Sequence, residues 1–538
     1  MSLDAVGLEV MGHAFASVAE EMGLVLIHSA VSPNIRERRD CSAALFDTEG
    51  EMVAQAAHIP VHLGAMHESV AAVRALGPGP GELFILNDPY TGGSHLPDLT
   101  VIGAVELDGA VGGYSVVRAH HSDVGGVQAG SMPAGAREIF AEGVIVPPLR
   151  WTADLERFLL ANVRTPDARR ADLAAQRAAV ERGADGLRAL AARYGSAAVR
   201  AAACDLLDYA ERRAREALGR LNAIDVVASD WLEGDGVDDI DLEIRLQLVI
   251  RDGAFDVDFT GTAPAARGNV NCPLAVARSA ALFVVRTLLP EDVPTNGGVQ
   301  RAVTVTAPPG CLVNARYPSA VAAGNVETSQ RIVDTLFLAL ARAGVPVPAQ
   351  GQGTMNNVTF GGHRPPDAGH RTPDTGSGWG AGAGWTYYET IGGGQGASRG
   401  ANGPCGVHVG MSNTRNTPIE VLEMEYPVRV TTYALRRGSG GAGQWTGGDG
   451  VVREFQALAP MDAGVLAERR RHGPRGVAGG REGAPGATIL NGVALGSKVT
   501  ASLVPGDVLR METPGGGGWG GRGGGGAGAE RPQHGDDR

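Results

Sequence analysis

Cysteine is scarce: five residues in 538, at positions 41, 204, 272, 311 and 405. They are scattered, odd in number and contain no CxxC pair, which excludes a zinc ribbon and a disulfide framework and fits reduced thiols. Aromatic residues are 5% of the chain, too few for a protein built around base stacking. Basic charge is not in excess: 47 Lys and Arg stand against 59 Asp and Glu, a net charge of -12. The arginine runs at 36–40 and 468–471 carry acids beside the bases, so the basic stripe of a nucleic-acid binder is missing. Residues 1–10 lack a basic n-region and an apolar h-region, and no stretch approaches the ~20 apolar residues of a membrane span. A cytoplasmic chain with neither nucleic acid nor membrane as partner is the expectation. There is no GxxxxGK[ST] phosphate loop, so this chain is not expected to bind ATP itself.

What is present is globular: 43% apolar residues, 20% charged, and 80 glycines without a collagen-like period. The length predicts two to four domains. Residues 3–26 place apolar side chains at three- and four-residue spacing, an amphipathic helix. Apolar runs around Thr48-Glu49-Gly50, Asp108-Gly109 and Asp252-Gly253 predict hairpins. Residues 151–221 are rich in Ala, Arg, Leu and Glu and predict two to three long helices, broken at Pro166, with a scaffold or oligomer-contact role. Further helices are predicted at 275–289 and 325–343. The fold class is therefore mixed α+β. Its expected regions are an N-terminal α/β metal-binding part (1–150), a helical part (151–225), a Gly-rich mixed part (226–425), a β-rich module (426–514) and a disordered tail (515–538).

Eight of the thirteen histidines lie in the first 121 residues. Two clusters set His beside Asp in loops next to apolar strands: NDPYTGGSHLPD (87–98) and RAHHSDVGG (118–126). Neutral imidazole nitrogen and anionic carboxylate oxygen together suit Zn, Mn or Fe(II). His95 and Asp98 have the spacing to converge on one ion. His121 is a candidate third ligand from the neighbouring strand end, and Asp40 a candidate fourth. The competing reading has these residues capping turns. His58, His62 and His67 form a stripe assigned to helix packing or solvent, and Cys41 is assigned to the core. The GxSxG string Gly396-Ala397-Ser398-Arg399-Gly400 is flanked by glycines and Pro404, so it reads as a loop and not a nucleophile elbow.

The motifs together resemble the hydantoinase B/oxoprolinase family. They include ERRDCS (37–42), NDPYTGGSHLPDLT (87–100), AHHSDVGG (119–126), SMPAGAREIFAEGVIVPPLR (131–150), GNVNCP (268–273), SAVAAGNVETSQRIVD (319–334), MSNTRNTPIEVLE (411–423) and TPGGGGWG (513–520). The resemblance implies the metal-bearing, B-type component of an ATP-dependent amidohydrolase. An A-type ATPase partner would phosphorylate a cyclic amide such as a hydantoin or 5-oxoproline, in a hetero-oligomer. It implies a divalent metal (Zn, Mn or Fe) on Asp40, His95, Asp98 and His121, with Asp123 or His120 orienting ligands or moving the proton. Two alternatives stay open: a component of a biotin-independent ketone carboxylase, and a non-catalytic scaffold for the ATPase.

Overall fold

Asp4 opens the first helix. Its carboxylate accepts the Gly7 N–H at 2.7 Å and caps α1 (Ala5–Ser29). A computed structural model describes residues 4–57, 59–62, 64–363 and 384–521; His58 and residues 522–538 lie outside them. Among the described helices α1 has the length and apolarity to cross a membrane, which corrects the expectation that no stretch approaches that size. Its Met11, Phe15, Met22 and Leu26 are buried in the core.

The N-terminal region holds the short helix α2 (Pro33–Arg36), strands β1 (Cys41–Phe46) and β2 (Met52–Ala57), helix α3 (Ala65–Arg74), and strands β3 (Leu83–Leu86), β4 (Asp98–Leu107), β5 (Ala110–His120) and β6 (Leu149–Arg150). The strands form one antiparallel sheet in the order β2-β1-β5-β4-β3-β6. The predicted Asp108-Gly109 turn joins β4 to β5, with both residues at positive φ (55° and 78°) as a two-residue hairpin requires. Side chains alternate between the faces. Leu99, Val101, Val117 and Ala119 pack in one cluster with α1, whereas Ile102, Ala104, Tyr114 and Val116 pack with Met66, Val70 and Val73 of α3.

Three helices follow: α4 (Ala153–Ala161), α5 (Pro166–Tyr194) and α6 (Ser196–Gly219). Pro166 opens α5, where its missing N–H costs nothing. The stretch is not a separate scaffold. Leu173, Ala179 and Val180 of α5 belong to the same core as α1 and the first sheet. Gly186 makes the close approach possible: a Cβ there would overlap both methyls of Val18.

A second sheet, ordered β10-β9-β8-β7, contains β7 (Ile224–Glu233), β8 (Asp241–Arg251), β9 (Ala254–Asp258) and β10 (Val303–Thr306). Helices α7 (Leu274–Leu288), α8 (Gly297–Gln300) and α9 (Ser329–Arg342) accompany it, and a π-helical turn, Gly324–Thr328, leads into α9. The remaining elements are β11 (Asn357–His363), β12 (Gly384–Glu389), α10 (Ile419–Glu425), β13 (Val428–Arg436), β14 (Gly450–Ala457), β15 (Met461–Leu466), β16 (Ala487–Leu490), β17 (Val493–Leu495), β18 (Lys498–Leu503) and β19 (Val508–Glu512). They make two sheets, β12-β11-β15-β18 and β13-β14-β19-β16-β17. The first takes strands from both sides of the expected boundary at 425/426, so that boundary does not separate two structural units. Of the expected tail, residues 515–521 are described and are ordered against the fold. Residues 515–518 are buried, and Trp519 packs edge-on against Trp445 at 5.2 Å. Glycine lets backbone lie on backbone here: Gly516 donates to the Gly448 carbonyl at 2.9 Å and Gly517 to that of Gln350 at 2.8 Å.

A buried ionic network ties the second and third sheets together. Arg331 of α9 lies 3.5 Å from Asp230 and 3.3 Å from Glu468. Arg469 reaches Asp334 at 2.6 Å and Asp230 at 3.1 Å. Lys498, the chain's one lysine, is buried and donates to Glu468.

Candidate metal centre

Asp98 is the first residue of β4 and stands directly opposite His120, the last residue of β5. Its Oδ1 lies 3.1 Å from His120 Nδ1 and 3.0 Å from His95 Nε2, the latter delivered by the loop at 87–97. Its Oδ2 accepts from Ser94 Oγ at 2.6 Å and lies 3.5 Å from Nε2 of His62, on the turn Pro60–His62. All these side chains are buried. Burial alone would raise the Asp98 carboxyl, but the charge of His95 and hydrogen bonds from His120, His62 and His95 outweigh it and hold it well below the usual carboxylate range.

The ligand atoms of His95, Asp98 and His120 lie within 4.8 Å of one another. Nδ1 of His95 and Nε2 of His120 have no hydrogen-bond partner. Buried polar atoms of this kind are normally satisfied. Unpartnered imidazole nitrogens around one carboxylate are the donor set of a first-row divalent ion, so the residues fit such a metal. The His120 ring is fixed on its other side: it stacks on Tyr388 at 4.5 Å and 17°. The Tyr388 hydroxyl donates to Asn357 Oδ1 at 2.8 Å, and the Arg38 guanidinium lies 4.8 Å from the tyrosine ring.

Asp98, His120 and His62 open on a small cavity. Asp40 lines it too, and its carbonyl accepts the His120 backbone N–H at 3.0 Å. Thr390, Ser412, Thr414 and Asn325 add polar groups.

The structure therefore brings together His95, Asp98 and His120, with Asp40 on the same cavity. His121 and Asp123 stand apart. His121 continues the parity of Val117 and Ala119, and its Nε2 meets Gln176 Oε1 of α5 at 2.9 Å. Burial, then Arg169, lowers its imidazole to about 4. Asp123 is paired with Arg164 at 2.8 Å through both the side chain and the backbone N–H. Thus His120, expected to carry a proton or orient ligands, stands in the cluster where His121 was expected, and Asp123 is bonded to Arg164 away from it. His62, assigned by its spacing to packing, was the residue missed. His67 is half-buried beside Phe46, ring centroids 6.0 Å apart. Cys41 is buried in the core, and Ser398 sits in an irregular loop.

Four sheets in a mixed α+β chain, around a buried His–Asp–His cluster, define a protein with a candidate metal centre. The chain matches the hydantoinase B/oxoprolinase family over residues 4–522 and belongs to that family. An uncharacterized protein of Methanocaldococcus jannaschii is 37% identical over 96% of this chain and 91% of its own length. The 5-oxoprolinase 1 of Arabidopsis thaliana is 36% identical over 96% of this chain, which spans 42% of that relative. The putative B-type subunit of a D-/L-hydantoinase from a Pseudomonas species is 29% identical over 96% of this chain and 90% of its own. Among solved structures, the ATP-dependent caprolactamase from Pseudomonas jessenii superimposes with a TM-score of 0.84 at 27% identity, covering 97% of this chain and 92% of its own. An acetone carboxylase shares the fold, with a TM-score of 0.82 at 16% identity over 96% of this chain and 76% of its own.

Proposed function

We propose that this chain is the metal-bearing B-type subunit of an ATP-dependent amidohydrolase. It would act on a cyclic amide of hydantoin or 5-oxoproline type, phosphorylated by an A-type ATPase partner within a hetero-oligomer. The observation that carries this reading is the buried cluster of His95, Asp98 and His120, whose ligand atoms lie within 4.8 Å of one another and whose two imidazoles each keep one ring nitrogen unpartnered. These three residues would hold the divalent ion (Zn, Mn or Fe), with Asp40 the fourth group on the cavity.

When bound, such an ion supplies Lewis acidity and makes water more acidic. The chain's own groups do the rest. Tyr388 fixes the ring plane of His120. His62, anchored through Nδ1 to Ser42 Oγ at 2.9 Å, presents Nε2 where a proton can be held or passed on. Thr390 and Thr414, whose hydroxyls meet at 2.6 Å, and Ser412, 2.8 Å from His408 Nδ1, make the far side of the cavity polar. Residues lining the cavity are nearly all withdrawn from solvent, which protects an activated phosphate ester from bulk water. Hydrolysis is favoured over carboxylation because, among the relatives at 27% identity or more, those named for an activity are oxoprolinases, a putative hydantoinase subunit and a caprolactamase, whereas the carboxylase likeness is one of fold alone.

The test is elemental analysis of the purified chain, followed by assay with its ATPase partner on hydantoin and 5-oxoproline. The expected result is about one divalent ion per chain and ATP-dependent ring opening. Undiminished turnover by chain stripped of metal overturns the reading.

A further inference from the structure

Tyr388 of β12 is held at three points. Its ring meets two side chains of the N-terminal region, the stacked His120 and the Arg38 guanidinium. Its carbonyl accepts from Arg38 Nη1 at 2.9 Å. Its hydroxyl reaches Asn357 of β11. Tyr388 pairs in register with Thr359, and Asn357 lies two residues from Thr359, so the contact is the same-face diagonal of an antiparallel pair.

The orientation of the Asn357 amide follows from its neighbours. Nδ2 faces Glu327 Oε1 and the Leu466 carbonyl, each at 2.8 Å. A carbonyl only accepts, so this end is the NH2 group, and Oδ1 is left as the acceptor of the Tyr388 hydrogen. Both amide hydrogens and the hydroxyl hydrogen are thereby used. Glu327, Asn357 and Tyr388 are all buried, so none of the three can trade these bonds for water. Two features mark the outer end of this line as specially built. Glu327 belongs to the π-helical turn, an irregularity common at functional sites, and Asn325 of the same turn lines the cavity of the metal centre. Asn356, just before Asn357, is held at φ 47° with its amide on Gln352 Oε1 at 2.9 Å.

We propose that Asn357 is a positioning residue of the metal centre: through the Tyr388 hydroxyl it fixes the plane of His120, and so sets the affinity for the ion from the third sheet. The proposal rests on the metal reading above. A stacked ring slides at little cost, whereas a buried hydroxyl is bound to its one acceptor. The contacts Glu327–Asn357–Tyr388–His120 form one line from the π-helical turn to the ligand. Outer partners that orient a ligating histidine change metal affinity about tenfold to a hundredfold. Here the partner acts on the face of the ring and not through its N–H.

The test is metal affinity of the full chain, read by competition for Zn(II) with a chromogenic chelator, beside the absorption spectrum of the Co(II)-loaded chain. Tyr388→Phe keeps the ring and cuts the tether; Asn357→Leu removes the acceptor. Each should bind the ion about tenfold more weakly and shift the Co(II) bands, and the double variant should be no weaker than either alone. Gly186→Ala, which strains α1 against α5, is the control for stability alone and should keep the parent's affinity. Where Asn357→Leu fails to fold, Tyr388→Phe decides. Affinity unchanged in Tyr388→Phe overturns the proposal, as do losses that multiply in the double variant or an equal loss in the control. A parent chain that binds no ion overturns the metal reading itself, and this proposal with it.

Discussion

Asp98 and His120 face each other across β4 and β5 because one residue is inserted between the turn and the site. Near the turn the pairs are Leu107 with Ala110 and Glu106 with Val111; beyond the irregularity Val105 pairs with Gly113, and the register has moved by one. Without that bulge Asp98 would face Ala119. Gly113 holds the irregularity at φ 154°, and a Cβ there would lie 2.6 Å from the Phe46 carbonyl oxygen. Gly113→Val is expected to cost about 1–3 kcal/mol and to lower the chain's metal content with it. Thermal unfolding and elemental analysis of the same preparation check both.

His120→Ala should strip the ion and reduce ATP-dependent turnover by at least about a hundredfold, the scale of losing a group that positions the reacting centre. His121→Ala should keep the ion. It should cost roughly 1–3 kcal/mol of stability by leaving Gln176 Oε1 without its donor. Metal content of the two variants side by side separates the neighbours; a result reversed between them would place His121, not His120, at the ion.

Glu327 on the π-helical turn gives the fold a pH dependence. Its Oε1 accepts from Met355 N–H at 3.1 Å and Asn357 Nδ2 at 2.8 Å, while Oε2 has no partner. Burial, then the charge of Glu468, pushes its carboxyl up from an ordinary 4.5 to about 8, against Thr354, Lys498 and the Met355 N–H. Between those values the folded chain keeps a proton that the unfolded chain releases. Stability contributed by this group therefore falls as pH rises through that window and is level above it. Glu327→Gln should remove the slope and make the protein more stable at pH 9 than its parent, by on the order of 5 kcal/mol at most. Denaturant midpoints at pH 5 and pH 9 provide the measurement.

Gly186→Ala sets helix propensity against packing. In an exposed helix the change would stabilise by about 1 kcal/mol. Here the new methyl collides with both methyls of Val18 on α1, and overpacking of that kind costs about 1–3 kcal/mol. A net loss of stability is expected. A gain in unfolding midpoint would mean that α1 and α5 have room for the methyl.

Local chemistry made much of this legible from the residues. Asp-Gly pairs announced two hairpins, Pro166 the start of α5, and the crowding of His and Asp the candidate site. What escaped depends on distances along the chain or on absent side chains. The choice between His120 and His121 turns on a one-residue bulge with no strong sequence mark. His62 reaches Asp98 from a turn 36 residues upstream, a pairing that spacing does not encode. The helical stretch reads as a scaffold because its buried stripe is rich in alanine and glycine, yet small residues are what let α5 settle on the first sheet. Residues 515–518 read as disordered for the same reason: glycine hides packing that involves backbone alone.

The burial of Lys498 against Glu468 has a practical consequence. Every other basic side chain that carries a full charge is an arginine, so the folded protein offers no lysine amine to solvent. Amine-directed cross-linkers and surface-coupling reagents should find no lysine to attack while the chain is folded. Modification at position 498 would then report opening of the network between the second and third sheets, and would serve as a built-in probe of unfolding.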